Sequence, residues 1–275
     1  MIPFFFGSRD KQLFGIYHPS KSKTAYSHGI LICPPVGQEH LRTYMALRQL
    51  ALALSSIGFD VLKFDYYGVG DSAGDSKQGN VDIWKEDVRH AYQELKDVTG
   101  VRSVSILGLR LGAALAALSV SAGLQVKNLL LWDPVVNGAE YIRELRELTL
   151  NLLSGKSESK GDGCEVLVGF PYSTGNLFSI SEIDLLKVSP KAEMNMHLVL
   201  SEEKAQYIEL CRHIESFGQP VEMKILPDIG ILETSGNWHG AQSLIAQWSD
   251  QDEFDQALIA HAAITEIVAI MGKAL

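Results

Sequence analysis

Cysteine is scarce in this chain, with three residues among 275. Cys33, Cys164 and Cys211 stand far apart, in no metal-ligand spacing and no even-numbered framework. Neither a zinc site nor a disulfide scaffold is indicated, no metal or organic cofactor is expected, and a reducing cytoplasm is the simplest setting. No apolar run approaches the roughly 18 residues of a membrane span. The apolar opening Met1-Ile2-Pro3-Phe4-Phe5-Phe6 is short and has no basic region, so it does not read as a signal peptide. Positive charge is in deficit: 24 Lys and Arg against 33 Asp and Glu leave a net charge of −9. That balance argues against a nucleic-acid-binding surface. There is no internal repeat, and no low-complexity tract beyond 154–163.

What is present is a hydrophobic content of 46%, ordinary for a buried globular core. The length fits one large α/β domain with an inserted segment. A short continuous apolar run at 29–33 predicts a strand buried on both faces, and 59–64, 101–107, 128–132, 196–200 and 221–226 also read as strands. Between them, helical spacing runs over 40–56, 84–98, 111–121, 203–217 and 254–272. Residues 4–7 and 12–18 read as an opening antiparallel pair. This alternation predicts a mostly parallel central sheet covered by helices on both faces. The rhythm breaks between 138 and 190. There a charged helix (140–153), a polar stretch, a Gly/Pro/Tyr loop and a short helical piece (181–186) predict an inserted helical cap. The expected division is 1–137 and 191–275 as core, with 138–190 as cap.

One pentapeptide carries most of the chemical information. Gly108-Leu109-Arg110-Leu111-Gly112 lies between an apolar run and a small-residue helical run, the strand–turn–helix setting of the Gly-x-Ser-x-Gly nucleophile elbow. The central position should hold Ser, Cys or Asp, groups able to attack a carbonyl. It holds an arginine, which stays protonated at any working pH. Gly70-Asp71-Ser72-Ala73-Gly74 matches the same pattern by letter, but no strand leads into it and no helix follows. Ser72 is therefore expected to tie a loop.

The strand ending in Pro34-Pro35-Val36-Gly37, the stretch Asp65 to Ser72 and the elbow together resemble the α/β-hydrolase superfamily over nearly the whole chain. Asp65 to Ser72 is similar to that family's Asp-x-Arg-Gly-x-Gly-x-Ser loop, with Tyr67 in place of the Arg. Four further stretches (3–7, 33–39, 108–113 and 131–136) resemble the exosortase A system-associated hydrolases, bacterial proteins associated with exopolysaccharide and protein-sorting systems. The resemblance implies an α/β-hydrolase fold, an oxyanion hole built from the amides of Val36 and Leu111 beside Gly37 and Glu39, and a Ser-type triad.

This chain departs from that triad at two positions and leaves the third in question. Arg110 replaces the nucleophile. The base position falls near Ile231, with His239 about eight residues on. Glu203 or Asp133 can fill the acid position, although Glu203 equally suits the first turn of the next helix. Cys33 reads as a buried structural thiol. A guanidinium at a pocket floor needs a partner. Asp133 is the first expected one, with Glu39 and Glu203 as further candidates and a ligand carboxylate or phosphate as the alternative. The expected function is a degenerate α/β hydrolase binding a small anionic or acyl ligand in an exopolysaccharide-related process. The alternatives are an esterase, thioesterase or acyl hydrolase using Asp133 or Ser72, and an interaction protein that docks a partner on its cap.

Overall fold

The apolar runs form strands, and the central ones are buried along their lengths. Strand β3 (His28–Cys33) and strand β6 (Asn128–Trp132) have no exposed position. Strand β5 (Ser103–Leu109) is buried from its second residue on. A computed structural model describes residues 1–21, 27–152, 163–190, 194–226 and 261–273. In it, eight strands form one sheet in the order β1-β2-β4-β3-β5-β6-β9-β10. β1 (Ile2–Phe6) and β2 (Leu13–His18) are antiparallel to each other, and β2 is antiparallel to β4 (Asp60–Phe64). The remaining pairs, out to β9 (Asn195–Leu200) and β10 (Val221–Ile225), are parallel.

Because side chains alternate across a strand, each strand feeds two cores. Leu31 of β3 joins one, and Ile30 and Ile32 join the other. On one face lie α2 (Val81–Thr99) and α3 (Leu111–Ser121). On the other lie α1 (Gly37–Ile57) and α7 (His261–Lys273), which pack through Leu47, Leu50, Leu54, Ile267 and Ile270. The helix boundaries follow local chemistry. Asn80 caps α2 by accepting from the Ile83 N–H at 3.0 Å, and α1 stops at Gly58 in the left-handed region.

Between β6 and β9, the described residues add no strand to the main sheet. Helix α4 (Gly138–Leu152) leads there, followed by a two-stranded hairpin of β7 (Cys164–Leu167) and β8 (Phe170–Ser173). Helix α5 (Thr174–Ser181) and a 3-10 turn (Leu185–Lys187) complete the segment. Residues 164–173, expected as loop, form a hairpin, and the short helical piece expected at 181–186 is found as α5 ending at Ser181 and the 3-10 turn at Leu185–Lys187. The hairpin turns on Val168 and Gly169, both at positive φ (51° and 80°), as a two-residue turn matched to strand twist requires. Helix α6 (Ala205–Glu215) joins β9 to β10.

Candidate functional site

Strand β5 ends at Leu109 and helix α3 begins at Leu111, so Arg110 alone makes the turn. Its backbone (φ 53°, ψ −119°) is one that a side-chain-bearing residue rarely adopts. Such a position costs on the order of 1–3 kcal/mol and persists only where its surroundings enforce it. The enforcement is visible. The Arg110 N–H donates to the Trp132 carbonyl at 3.0 Å, and the Val135 N–H donates to the Arg110 carbonyl at 3.2 Å. A Cβ at Gly108 would collide with the backbone of Ala113, and one at Gly112 with the carbonyls of Cys33 and Pro34. The geometry of a nucleophile elbow is therefore kept without a nucleophile.

The Arg110 side chain is buried and engaged within the protein. Its Nε donates to Glu39 Oε1 at 2.9 Å, one terminal nitrogen donates to the Asp133 carbonyl at 3.3 Å, and the other reaches Glu144 Oε2 at 3.5 Å. Glu39, in the first turn of α1, is equally buried and accepts on Oε2 from the Tyr141 hydroxyl at 3.0 Å. The guanidinium carbon sits 5.6 Å from the centre of the Tyr141 ring, within cation–π range. Burial works against the charged guanidinium, yet Glu39, Tyr207, Tyr141 and Glu144 hold its pKa well above the ordinary value. Burial and the neighbouring Glu39 likewise push the Tyr141 hydroxyl up. Arg110 therefore ties the elbow, the start of α1 and helix α4 into one network.

The expected Arg110–Asp133 carboxylate pair is corrected by this arrangement. β5 and β6 are neighbours, as that expectation required. Asp133, however, turns at φ 42° and sends its carboxylate to the end of β9. There it accepts from the Ser201 N–H at 2.8 Å and the Ser201 hydroxyl at 2.6 Å. Only its main-chain carbonyl meets Arg110. Burial pushes the Asp133 carboxyl up, against the Ser201 hydrogen bonds that pull it down.

Glu203 stands just before α6, not in its first turn. It is exposed, and the cap position of α6 is Lys204. Ile231 and His239 lie outside the described residues. Ser72 ties its loop, donating to the Asp65 carbonyl at 2.6 Å and accepting from the Phe14 N–H at 2.8 Å. Cys33 is fully buried, and burial pushes its thiol up. The amides of Val36 and Leu111, the expected oxyanion donors, meet no acceptor among the described residues. No group of three metal-ligating side chains is found among the described residues, and none of their helices is long and apolar enough to cross a membrane.

Beside the elbow, a cavity of about 250 Å³ lies between the start of α1, the Gly-rich loop after β4, and the β7–β8 hairpin. Val36, His40, Val69, Trp84, Phe170 and Tyr172 line it. Gly37, at φ +62°, has no room for a Cβ, because the Tyr172 hydroxyl rests against it. His40 is buried with Nε2 3.6 Å from Asp65 Oδ1. Tyr141, Glu144, Tyr172, His40 and Ser201 were not singled out as site residues by the sequence. The i, i+3 pair Tyr141 and Glu144 on one helix face was the one available signal.

Over residues 29–160, just under half of the chain, the sequence matches the family model described as serine aminopeptidase, S33. No curated protein matches. Solved structures with the same fold include Est1E from Butyrivibrio proteoclasticus with ferulic acid bound, at 14% identity and TM-score 0.61, covering 81% of this chain and 88% of that one. Alpha/beta hydrolase domain-containing protein 10 from mouse is similar over 100% of both chains, at 15% identity and TM-score 0.58. The α/β hydrolase GrgF from Penicillium sp. sh18 is 15% identical with TM-score 0.57, over 82% of this chain and 89% of that one. The matched segment, the strand order and the elbow show that this chain has the α/β-hydrolase fold.

Proposed function

We infer that this chain is a small-molecule-binding member of the superfamily that does not hydrolyse esters through a Ser triad. One observation carries the reading: the nucleophile position is held by Arg110, whose guanidinium is buried and paired with Glu39. A guanidinium does not attack a carbonyl, and here each of its three nitrogens already donates to a protein acceptor. The substitute nucleophiles are also engaged. Asp133 spends both carboxylate oxygens on Ser201, and the Ser72 hydroxyl donates to a main-chain carbonyl. The proposed setting, an exopolysaccharide-related process, rests on the sequence resemblance alone.

The test is turnover of activated short-chain esters with and without a serine-directed phosphonate. The expected result is no turnover above the uncatalysed rate and no covalent adduct. Turnover that disappears on stoichiometric labelling of one serine would overturn the reading.

A further inference from the structure

The cavity beside the closed elbow is walled mainly by apolar and aromatic groups, the composition of a small-molecule site. Trp84, Phe170 and Tyr172 supply aromatic walls, and Val36 and Val69 supply aliphatic ones. Leu41, also on the lining, is exposed and marks the rim. The volume of about 250 Å³ falls below the roughly 300–1,000 Å³ typical of drug-sized ligands. It exceeds the roughly 150 Å³ of a dry apolar cavity that takes up benzene. It suits one ring with a short tail.

Among the described residues that line it there is no lysine, arginine, aspartate or glutamate. An ion drawn into it would lose its water without gaining a counter-charge. Buried charges next to the lining face one another instead. The Lys63 ammonium lies 4.0 Å from Asp65 Oδ1 and over the Tyr44 ring, and Arg110 is paired with Glu39. Polar side chains of the lining are likewise engaged within the protein. His40 turns Nε2 toward Asp65 Oδ1 at 3.6 Å, and its ring also meets the Pro35 backbone. The Asn176 amide donates to the Ser76 and Gly79 carbonyls and accepts from the Ser173 N–H at 2.7 Å. Trp84 Nε1 donates to the Tyr67 carbonyl at 3.2 Å. Burial pushes the His40 pKa down, against the opposing pull of Asp65, so the ring adds no charge to the wall.

We propose that this cavity binds the uncharged aromatic ring of a small molecule and holds it by burial rather than by hydrogen bonds or charge. Aromatic walls offer such a ring stacked and edge-to-face contacts. A carboxylate or phosphate finds no counter-charge on this lining. The proposal deepens the binding reading and rests on it.

Titration calorimetry of the full chain with benzene, toluene, ethylbenzene, n-propylbenzene, phenol and benzoate tests it. Affinity is expected to rise about fourfold per added methylene until the cavity is full, as apolar burial requires. Phenol should bind no tighter than toluene, and benzoate at least about tenfold more weakly. Val69→Phe, which fills the cavity from the loop after β4, should abolish ring binding. Leu41→Asp alters an exposed rim residue and should weaken toluene about tenfold. It covers the case where Val69→Phe does not fold. Ring binding that is absent, flat along the series, weaker than that of benzoate, or indifferent to both substitutions would overturn the proposal. Ester turnover by a labelled serine would instead overturn the underlying reading, whatever the rings do, so the two failures are distinguishable.

Discussion

Arg110 Nε lies 2.9 Å from Glu39 Oε1, and both side chains are about 95% buried. The two residues are 71 positions apart, one at the elbow and the other in the first turn of α1. Their pairing fills the place where a hydrolase would present its nucleophile to substrate. Burying two charges is costly, and their attraction offsets that cost only when further hydrogen bonds satisfy the remaining donors and acceptors. Tyr141, Glu144 and the Asp133 carbonyl supply those bonds.

Restoring the missing hydroxyl should not restore hydrolysis. In Arg110→Ser, the serine gains the elbow but no base among the described residues, and triad members act as a unit. Pre-steady-state kinetics with 4-nitrophenyl acetate should show no burst. A stoichiometric burst would mean that a base reaches the elbow, with His239 the first to substitute.

Gly37→Ala should destabilise the fold by two separable effects. The residue sits at φ +62°, and a Cβ there meets the Tyr172 hydroxyl. Adding Tyr172→Phe should relieve the collision while leaving the backbone strain of about 1 kcal/mol. Urea denaturation of the two single variants and the double should therefore show partial rescue. Additive losses would mean that the hydroxyl is not what Gly37 accommodates.

Acid should weaken the protein between pH 6.5 and 4. Burial pushes His18 and His28 down to about 4. Both groups hold fewer protons folded than unfolded in that window, so their contribution is full above pH 6.5 and falls as pH drops, by at most roughly 3 kcal/mol each. Asp87 has the opposite sign, because burial pushes it up to about 6. Its folded form takes up a proton first, which favours folding as pH falls from 6 toward 3.8. Asp87→Asn, which keeps an acceptor for the Tyr67 N–H, should raise stability at pH 7 and steepen the acid loss. Thermal melts across pH 4–8 check both, and an unchanged pH slope in the variant would contradict the Asp87 assignment.

Much of the framework was legible because it depends on short-range pattern. Continuous apolar runs marked β3, β5 and β6, and the glycines flanking Arg110 marked the elbow, since backbone packs where their side chains would be. What was not legible depends on backbone angles and distant partners. Neighbouring strands placed Asp133 near Arg110, but its positive φ redirects the carboxylate to Ser201, and no local signal announces that. The β7–β8 hairpin was hidden because its turn uses Val168-Gly169 where Asn-Gly is usual, and because Pro171 in a four-residue strand reads as loop. Glu39 was in view as one of three possible partners. Only the fold shows that α1 begins against the elbow.

The most direct test of the closed elbow is a double-mutant cycle on Arg110→Met and Glu39→Gln, read by equilibrium unfolding. Each single change leaves a buried polar or charged survivor and should cost on the order of 3–5 kcal/mol. The double variant should cost much less than the sum, because neither charge is then stranded. Small, additive losses would contradict the buried pair and leave Arg110 available to a ligand.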